Sequence, residues 1–191
     1  MKVVAEPADY FPPMIYGIAL GSNLGDRLHH LQGAVRLLLK AHPTLILHTT
    51  APVYETDPVD CPEGSQSFLN TVIEVECDLP PLELLREMRG IEVKLGRPSE
   101  HGHHAPRTVD LDMLYADGQT LAHPDLTLPH PRMTLRRFVL QPLADIRPTL
   151  VLPGQERSVR EILERLQNDE PPLRVVARDW VGAPTRAQVS S

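Results

Sequence analysis

The chain opens with a short apolar stretch followed by an amphipathic one. Residues 14–20 form an apolar run that ends at the triplet Gly-Ser-Asn at 21–23, which predicts a strand and then a turn. Apolar residues next recur every three or four positions between 28 and 38, which predicts a helix that ends before Pro43. Asp26 stands where this helix would need an N-cap.

Two further strand patterns and one helix pattern follow. Residues 45–54 are rich in apolar and β-branched side chains, and the prolines, glycine and acids of 57–64 then predict a loop. Apolar and polar positions alternate from 68 to 77, which predicts a third strand. The proline pair at 80–81 opens a second amphipathic helix, and Gly96 lies where a helix end prefers glycine.

The fourth predicted strand carries two carboxylates on one face. Its apolar face holds every second residue, namely Val109, Leu111, Met113 and Tyr115. Asp110, Asp112 and Leu114 alternate with that set and therefore project from the opposite face.

The predicted order of elements is βαββαβ. This order is typical of the split βαβ arrangement, so we expect an α+β protein with a ferredoxin-like core and helices packed on an antiparallel sheet. Residues 134–144 and 158–166 are expected to add C-terminal helices. The expected division is an N-terminal extension at 1–13, one domain at 14–168, and a loosely held tail at 169–191.

Composition narrows the classes of function. The chain of 191 residues has 19 basic and 25 acidic side chains and a formal charge of −6, which argues against sequence-independent binding of nucleic acid. Charges and prolines interrupt every apolar run, so no membrane span is expected, and we expect a cytoplasmic monomer. Cys61 and Cys77 have no metal-ligand or redox spacing and are expected to be reduced thiols.

The acidic pair is the strongest candidate for chemistry. Asp110 and Asp112 would repel each other unless a cation lay between them, and magnesium commonly takes one or two carboxylates and completes its shell with water and phosphates. Arg107, at the mouth of the strand, could grip a phosphate. A solvated strand face with a surface ion pair is the alternative reading of the same residues.

Four motifs, in this order along the chain, resemble those of one enzyme family. They are Gly-Ser-Asn-Leu-Gly at 21–25, Phe-Leu-Asn at 68–70, Pro-Arg-Thr-Val-Asp-Leu-Asp at 106–112 and Pro-His-Pro-Arg-Met at 129–133. Over about residues 15–165 the chain resembles the hydroxymethyl-dihydropterin pyrophosphokinases of folate biosynthesis. The resemblance implies transfer of pyrophosphate from ATP to 6-hydroxymethyl-7,8-dihydropterin, which gives AMP and the pterin diphosphate.

The resemblance also implies roles for individual residues. Asp110 and Asp112 would hold two Mg²⁺ ions, and together with Arg97 and Arg107 they would form the catalytic set. The implied ATP-binding residues are Glu92, Arg97, Arg107, Thr127, His130 and Arg136. The implied pterin-binding residues are Thr56, Pro58, Val59, Phe68, Asn70 and Phe138. Residues 97–106 hold charge, glycine and histidine without apolar anchors, and we expect this loop to close over the substrates.

Two other classes of function remain open from the sequence. A two-metal nucleotide phosphohydrolase could use Asp110 and Asp112 with water as the acceptor. A non-catalytic ferredoxin-like module could bind a small ligand or RNA, although 4% aromatic residues suit an RNA-stacking sheet poorly. The position of Asn70 and Phe138 relative to Asp112 would separate an acceptor-using enzyme from a hydrolase.

Overall fold

The computed structural model describes residues 11–57, 66–96, 108–167 and 173–182. The strands within these ranges are β1 (Met14–Ser22), β2 (Ile46–Thr50), β3 (Val53–Thr56), β4 (Phe68–Cys77), β5 (Asp110–Ala116), β6 (Leu121–His123), β7 (Leu126–Leu128) and β8 (Arg174–Ala177). The α-helices are α1 (Arg27–Ala41), α2 (Pro81–Lys94), α3 (Arg137–Ile146) and α4 (Val159–Arg165). A 3₁₀-helix, Met133–Leu135, precedes α3.

The main sheet is antiparallel, with the order β5-β1-β4-β3-β8, and its central strand, β4, also pairs with β2. Helices α1 and α2 cover one face, which we call the α1 face, and α3 covers part of the other, which we call the α3 face. The predicted α+β arrangement with helices packed on an antiparallel sheet is confirmed. A separate hairpin of β6 and β7 follows β5 along the chain.

The stretch 45–54, predicted as one strand, is two. Strands β2 and β3 follow each other along the same side of β4 and are interrupted at Ala51 and Pro52. Proline has no backbone N–H and cannot donate to a ladder, which accounts for the break. The Ala51 N–H still donates to the Val72 carbonyl at 2.8 Å, so the two strands stay in line.

Helices α1 and α4 begin at residues whose side chains cap them. Asp26 accepts a hydrogen bond from the His29 backbone N–H at 3.0 Å, as the N-cap prediction required. Ser158 and Glu161 form a capping box at the start of α4. The helix predicted over 134–144 is instead a 3₁₀ turn followed by α3.

A β-bulge changes which face Tyr115 occupies. Ile18 pairs with Met113 and Gly17 pairs with Tyr115, so Leu114 has no partner on β1. Leu114 and Tyr115 both belong to the core cluster on the α3 face. The prediction that Tyr115 shares the face of Met113 is therefore wrong, because the extra residue of the bulge reverses the alternation.

The described part of the C-terminal segment is ordered against the sheet. Strand β8 pairs with β3, and Trp180 is only 4% exposed. The Trp180 indole N–H donates to the Ala51 carbonyl at 2.9 Å, and Gln32 donates to the Trp180 carbonyl at 2.7 Å. The expectation of a loosely held tail is wrong for residues 173–182.

Two remaining expectations concern a thiol and membrane spans. Cys77 is a buried free thiol, whereas Cys61 lies outside the described residues. Within the described ranges, every helix is too short or too polar to cross a bilayer.

Candidate active site

A single row of residues across three strands defines the site. Gly21 of β1 pairs with Asn70 of β4 on one side and with Asp110 of β5 on the other. Directly paired residues project from the same face, so the Asn70 amide and the Asp110 carboxylate both lie on the α3 face. Two strand spacings separate their backbones, which is roughly 10 Å.

Gly21 keeps the centre of this row open. A Cβ added at Gly21 would lie 3.2 Å from Asn70 Oδ1, tighter than ordinary van der Waals contact. The next residue, Ser22, is buried and donates its hydroxyl to the Thr108 carbonyl at 2.6 Å. This bond joins the end of β1 to the segment that enters β5, and it supports the row at its acidic end.

The two aspartates share a face, as their spacing predicted. Asp110 is half-buried and Asp112 is exposed, whereas Leu111 and Met113 between and beyond them are buried. Asp112 stands opposite Ala19 of β1, one step along the α3 face from the row at Gly21. The two aspartates thus place carboxylate oxygens, which can act as metal ligands, on the α3 face at one end of the sheet.

Glu92 of α2 supports the strand between the aspartates. It is 4% exposed, and its Oε1 accepts the Leu111 backbone N–H at 2.8 Å. Strand β5 ends the order of the described sheet, so this N–H has no neighbouring strand on that side. The Glu92 carboxylate therefore accepts a hydrogen bond from a buried backbone N–H, which would lower stability if it had no acceptor. The nucleotide contact implied for Glu92 stays a prediction.

The residues of this pair fit magnesium. Mg²⁺ prefers oxygen ligands and is usually held by one or two carboxylates, with water and substrate phosphates completing its shell. Asp110 and Asp112 supply two carboxylates at adjacent positions on one face. Among the described residues no group of three or more His, Cys, Asp or Glu side chains could hold a metal ion.

His130 lies beside the acidic pair as a neutral ring. Burial lowers the pKa of His130 below its ordinary value, the Asp112 carboxylate opposes this, and Arg136 and Arg132 add to the lowering. Its Nδ1 accepts the Arg132 backbone N–H at 3.2 Å, so the proton of the neutral ring is on Nε2. The His130 backbone N–H donates to the Leu114 carbonyl of β5 at 2.7 Å and so ties this segment to the strand.

Arg136 and Phe138 continue the site at the start of α3. The Arg136 guanidinium lies 5.5 Å from the centre of the Phe138 ring, a cation–π distance. Phe138 is half-buried and packs against the core cluster of the α3 face, to which Ala19 also contributes. The ring is therefore on the same face as Asp112, which stands opposite Ala19.

Three of the residues predicted for pterin, Thr56, Phe68 and Asn70, adjoin one another where β3 ends and β4 begins. Thr56 pairs with Phe68, and the Asn70 side-chain amide donates to the Thr56 hydroxyl at 2.9 Å. Asn70 is 8% exposed and Phe68 is half-buried. Phe68 and Asn70 are two positions apart on a strand, so both side chains lie on the α3 face.

The remaining predicted residues are placed only in part. Thr127 is exposed on β7 of the hairpin. Arg97, Arg107, Pro58 and Val59 lie outside the described residues, as does the loop expected to close.

Sequence reasoning missed a buried polar cluster behind the site. Glu74 is 3% exposed, and its Oε1 accepts from the Tyr115 hydroxyl at 2.5 Å and from Arg147 at 2.8 Å. The sequence signal was a glutamate two positions after Val72 on a strand, on the same face as Asn70. A buried acid on that face implies a buried partner.

Residues 17–148 match the family model described as 7,8-dihydro-6-hydroxymethylpterin-pyrophosphokinase (HPPK). A 2-amino-4-hydroxy-6-hydroxymethyldihydropteridine pyrophosphokinase of Bacillus subtilis is 45% identical over 129 residues, which are 68% of this chain and 75% of the relative. A Pseudomonas aeruginosa protein of the same name is 38% identical over 136 residues, which are 71% of this chain and 82% of the relative.

Longer proteins share the same region. The folic acid synthesis protein of Schizosaccharomyces pombe is 34% identical over 149 residues, and the chain covers 20% of its length. A triple mutant of Plasmodium falciparum HPPK-DHPS, solved with pteroate, has a TM-score of 0.66 at 14% identity, covering 82% of this chain and 44% of that one. At that identity the likeness concerns the fold alone, and it agrees with the ferredoxin-like assignment. The family match and the two bacterial relatives confirm the resemblance, and the chain belongs to the 7,8-dihydro-6-hydroxymethylpterin-pyrophosphokinase family.

Proposed function

We propose that this chain transfers the pyrophosphoryl group of ATP to the hydroxymethyl oxygen of 6-hydroxymethyl-7,8-dihydropterin and releases AMP. Family membership supports the reaction. The observation that carries its assignment to the α3 face is the row in which Gly21 pairs with both Asn70 and Asp110. An amide suited to a heterocycle and a carboxylate suited to Mg²⁺ thus share one surface, with only a glycine between them.

The pterin would occupy the Asn70 end of the row. A carboxamide both donates and accepts hydrogen bonds, which matches the alternating donors and acceptors at the edge of a pterin ring. The bond from Asn70 to Thr56 holds this amide in one orientation. Phe68 and Phe138 lie on the same face and offer ring faces for stacking.

ATP would occupy the Asp110 end, with two Mg²⁺ ions at Asp110 and Asp112. When bound, magnesium orients the triphosphate and neutralises negative charge that develops during transfer. The neutral ring of His130 presents Nε2–H as a donor, which suits a phosphate or sugar oxygen. Arg136 adds a positive charge nearby, and Arg97, Arg107, Thr127 and Glu92 stay predicted nucleotide contacts.

The proposed step forms one bond and breaks one. The hydroxymethyl oxygen bonds to the β-phosphorus, and the bond from that phosphorus to the oxygen it shares with the α-phosphate breaks. AMP departs with the electron pair, and the hydroxyl proton passes to water. The chain contributes mainly position and charge, because carboxylates engaged with a metal are poor bases.

A nucleotide phosphohydrolase could use the same acidic pair. The placement of Asn70, Thr56 and Phe68 beside the row favours transfer to an organic acceptor, since a hydrolase has no need of an oriented amide about 10 Å from its carboxylates. A monomeric state and a cytoplasmic location stay predictions.

The test is a product assay with purified protein, ATP and Mg²⁺, with and without 6-hydroxymethyl-7,8-dihydropterin. We expect AMP and pterin diphosphate in equal amounts, and no AMP when the pterin is omitted. AMP or ADP formed at the same rate without pterin would favour the hydrolase. Pterin binding without any turnover would favour the non-catalytic module.

A further inference from the structure

The two ends of the segment between β3 and β4 are tied together on the α1 face. Glu55 precedes Thr56 at the end of β3, and Ser67 precedes Phe68 at the start of β4. The Ser67 hydroxyl donates to Glu55 Oε1 at 2.7 Å. The sequence separates these two residues by 12 positions, so the bond closes the base of the connecting segment.

Arg27 joins both ends to the first turn of α1. Its Nη1 lies 3.0 Å from Glu55 Oε1, 2.7 Å from the Ser67 carbonyl and 2.6 Å from the Ser67 hydroxyl. The side chains of Arg27 and Glu55 are 24% and 13% exposed. Water therefore screens this pair less than it screens an exposed ion pair.

Arg174 adds a second positive charge from the C-terminal segment. It stands opposite Glu55 in the pairing of β3 with β8, and its guanidinium forms an ion pair with Glu55 Oε2. Residues 173–182 lie beyond the 17–148 region that matches the family. One carboxylate thus holds two arginines and a serine, and we call Arg27, Glu55, Ser67 and Arg174 the Glu55 clasp.

The Glu55 clasp lies on the face opposite the proposed pterin site. Glu55 pairs with Leu69, whose side chain belongs to the core under α1, whereas Thr56, Phe68 and Asn70 face α3. Two clasp residues, Glu55 and Ser67, are each one backbone step from Thr56 or Phe68. They are therefore suited to fix where those residues stand without touching the ring that Thr56 and Phe68 would hold.

We propose that the Glu55 clasp is a positioning device for the pterin side of the active site, an inference that rests on the proposed function. Breaking it weakens pterin binding while the Asp110 and Asp112 end, on the far side of β1, is left in place. Glu55, Arg27 and Ser67 are positioning residues, and Arg174 contributes less because its side chain is 75% exposed.

The experiment compares Glu55→Gln, Ser67→Ala, Arg27→Met and Arg27→Lys with the parent protein. Steady-state kinetics give KM for pterin, KM for ATP and kcat, and fluorescence titration gives pterin binding without turnover. For Glu55→Gln and Arg27→Met we expect the pterin KM to rise about tenfold, which is the size of effect expected when one good hydrogen bond to the ring is lost. ATP KM and kcat should change less than twofold, and Arg27→Lys, which keeps the charge and donors, should recover part of the loss.

Arg147→Met is the matched control, because it also breaks an ion pair between an arginine and a glutamate of the sheet, in this case the buried Glu74 of β4, four positions along the strand from Asn70. It should lower Tm and leave the pterin KM unchanged. If Glu55→Gln fails to fold, Ser67→Ala, which removes only the neutral link, decides the question. The inference would be overturned if the clasp variants lowered Tm without altering the pterin KM, or if they raised the ATP KM as much as the pterin KM. If the parent protein itself forms no AMP with pterin, the proposed function fails and the titration alone tests the clasp.

Discussion

Replacement of Gly21 by alanine should weaken pterin binding without lowering the stability of the fold. The new Cβ would lie 3.2 Å from Asn70 Oδ1, and no other atom outside the neighbouring residues is among its contacts within 4 Å. Asn70 must therefore move by a few tenths of an ångström. The Thr56 hydroxyl, 2.9 Å from the amide nitrogen, resists that movement from the other side.

The expected magnitude is that of one hydrogen bond. Loss of a good bond from Asn70 to the pterin ring costs about 1 kcal/mol, and 1.4 kcal/mol corresponds to a tenfold change in binding. The pterin KM and dissociation constant should therefore rise roughly fivefold. Gly21 lies in an extended strand without positive φ, where alanine is favoured over glycine by about 0.5 kcal/mol, so Tm should not fall.

The assay is pterin binding by fluorescence titration, together with KM for both substrates and a thermal melt. Gly90→Ala is the matched control, because a Cβ there meets nothing within 4 Å and the position lies in α2. It should raise Tm and leave both KM values alone. An unchanged pterin KM in Gly21→Ala, or an equal rise in the ATP KM, would refute the proposed row.

Three further predictions concern the supports of the site. Glu92→Ala leaves the Leu111 N–H unsatisfied and should lower the free energy of unfolding by about 2 kcal/mol. Glu92→Gln keeps an acceptor, so urea unfolding should show a much smaller loss of stability for that variant. Arg147→Met leaves the buried Glu74 carboxylate without its cation and should lower the free energy of unfolding by about 2 kcal/mol, less than the roughly 3–5 kcal/mol of a fully buried pair because the Arg147 side chain is 36% exposed. A loss under about 0.5 kcal/mol by urea unfolding would contradict this. Burial and the hydrogen bond to the Asp145 carboxylate raise the pKa of Tyr54 to about 12. The unfolded chain therefore releases this proton at lower pH than the folded chain does, and the free energy of unfolding should fall as pH rises from about 10 to 12. In thermal melts over this pH range, Tyr54→Phe should lack that part of the decline.

The sequence predicted what depends on local spacing. Asp110 and Asp112 share a face because residues two apart on a strand must do so. Asp26 caps α1 because a carboxylate at that position reaches the first free N–H groups. The position of Gly21 between Asn70 and Asp110 depends on the register of three strands. The sequence of one strand does not determine that register.

The features that were missed depend on distant partners. Tyr115 changed face because β5 bulges where it meets Gly17, and a Cβ at Gly17 would lie 2.2 Å from the Tyr115 ring. Strand β8 and Trp180 are held by β3 and Ala51, more than a hundred positions earlier. A proline inside 45–54 was the one local signal that could have predicted the break between β2 and β3.

In the proposed site, a pterin half and a nucleotide half meet across Gly21. The decisive experiment measures pterin binding, Mg²⁺-dependent ATP binding and AMP formation in Asp110→Asn, Asp112→Asn and Asn70→Ala. We predict that both aspartate variants keep pterin binding within twofold and lose AMP formation by about 100-fold or more, the scale of removing a group that stabilises transferring phosphates. Asn70→Ala should keep ATP binding and lose pterin affinity. Loss of pterin binding in the aspartate variants, or unaltered pterin affinity in Asn70→Ala, would contradict the assignment of the two halves.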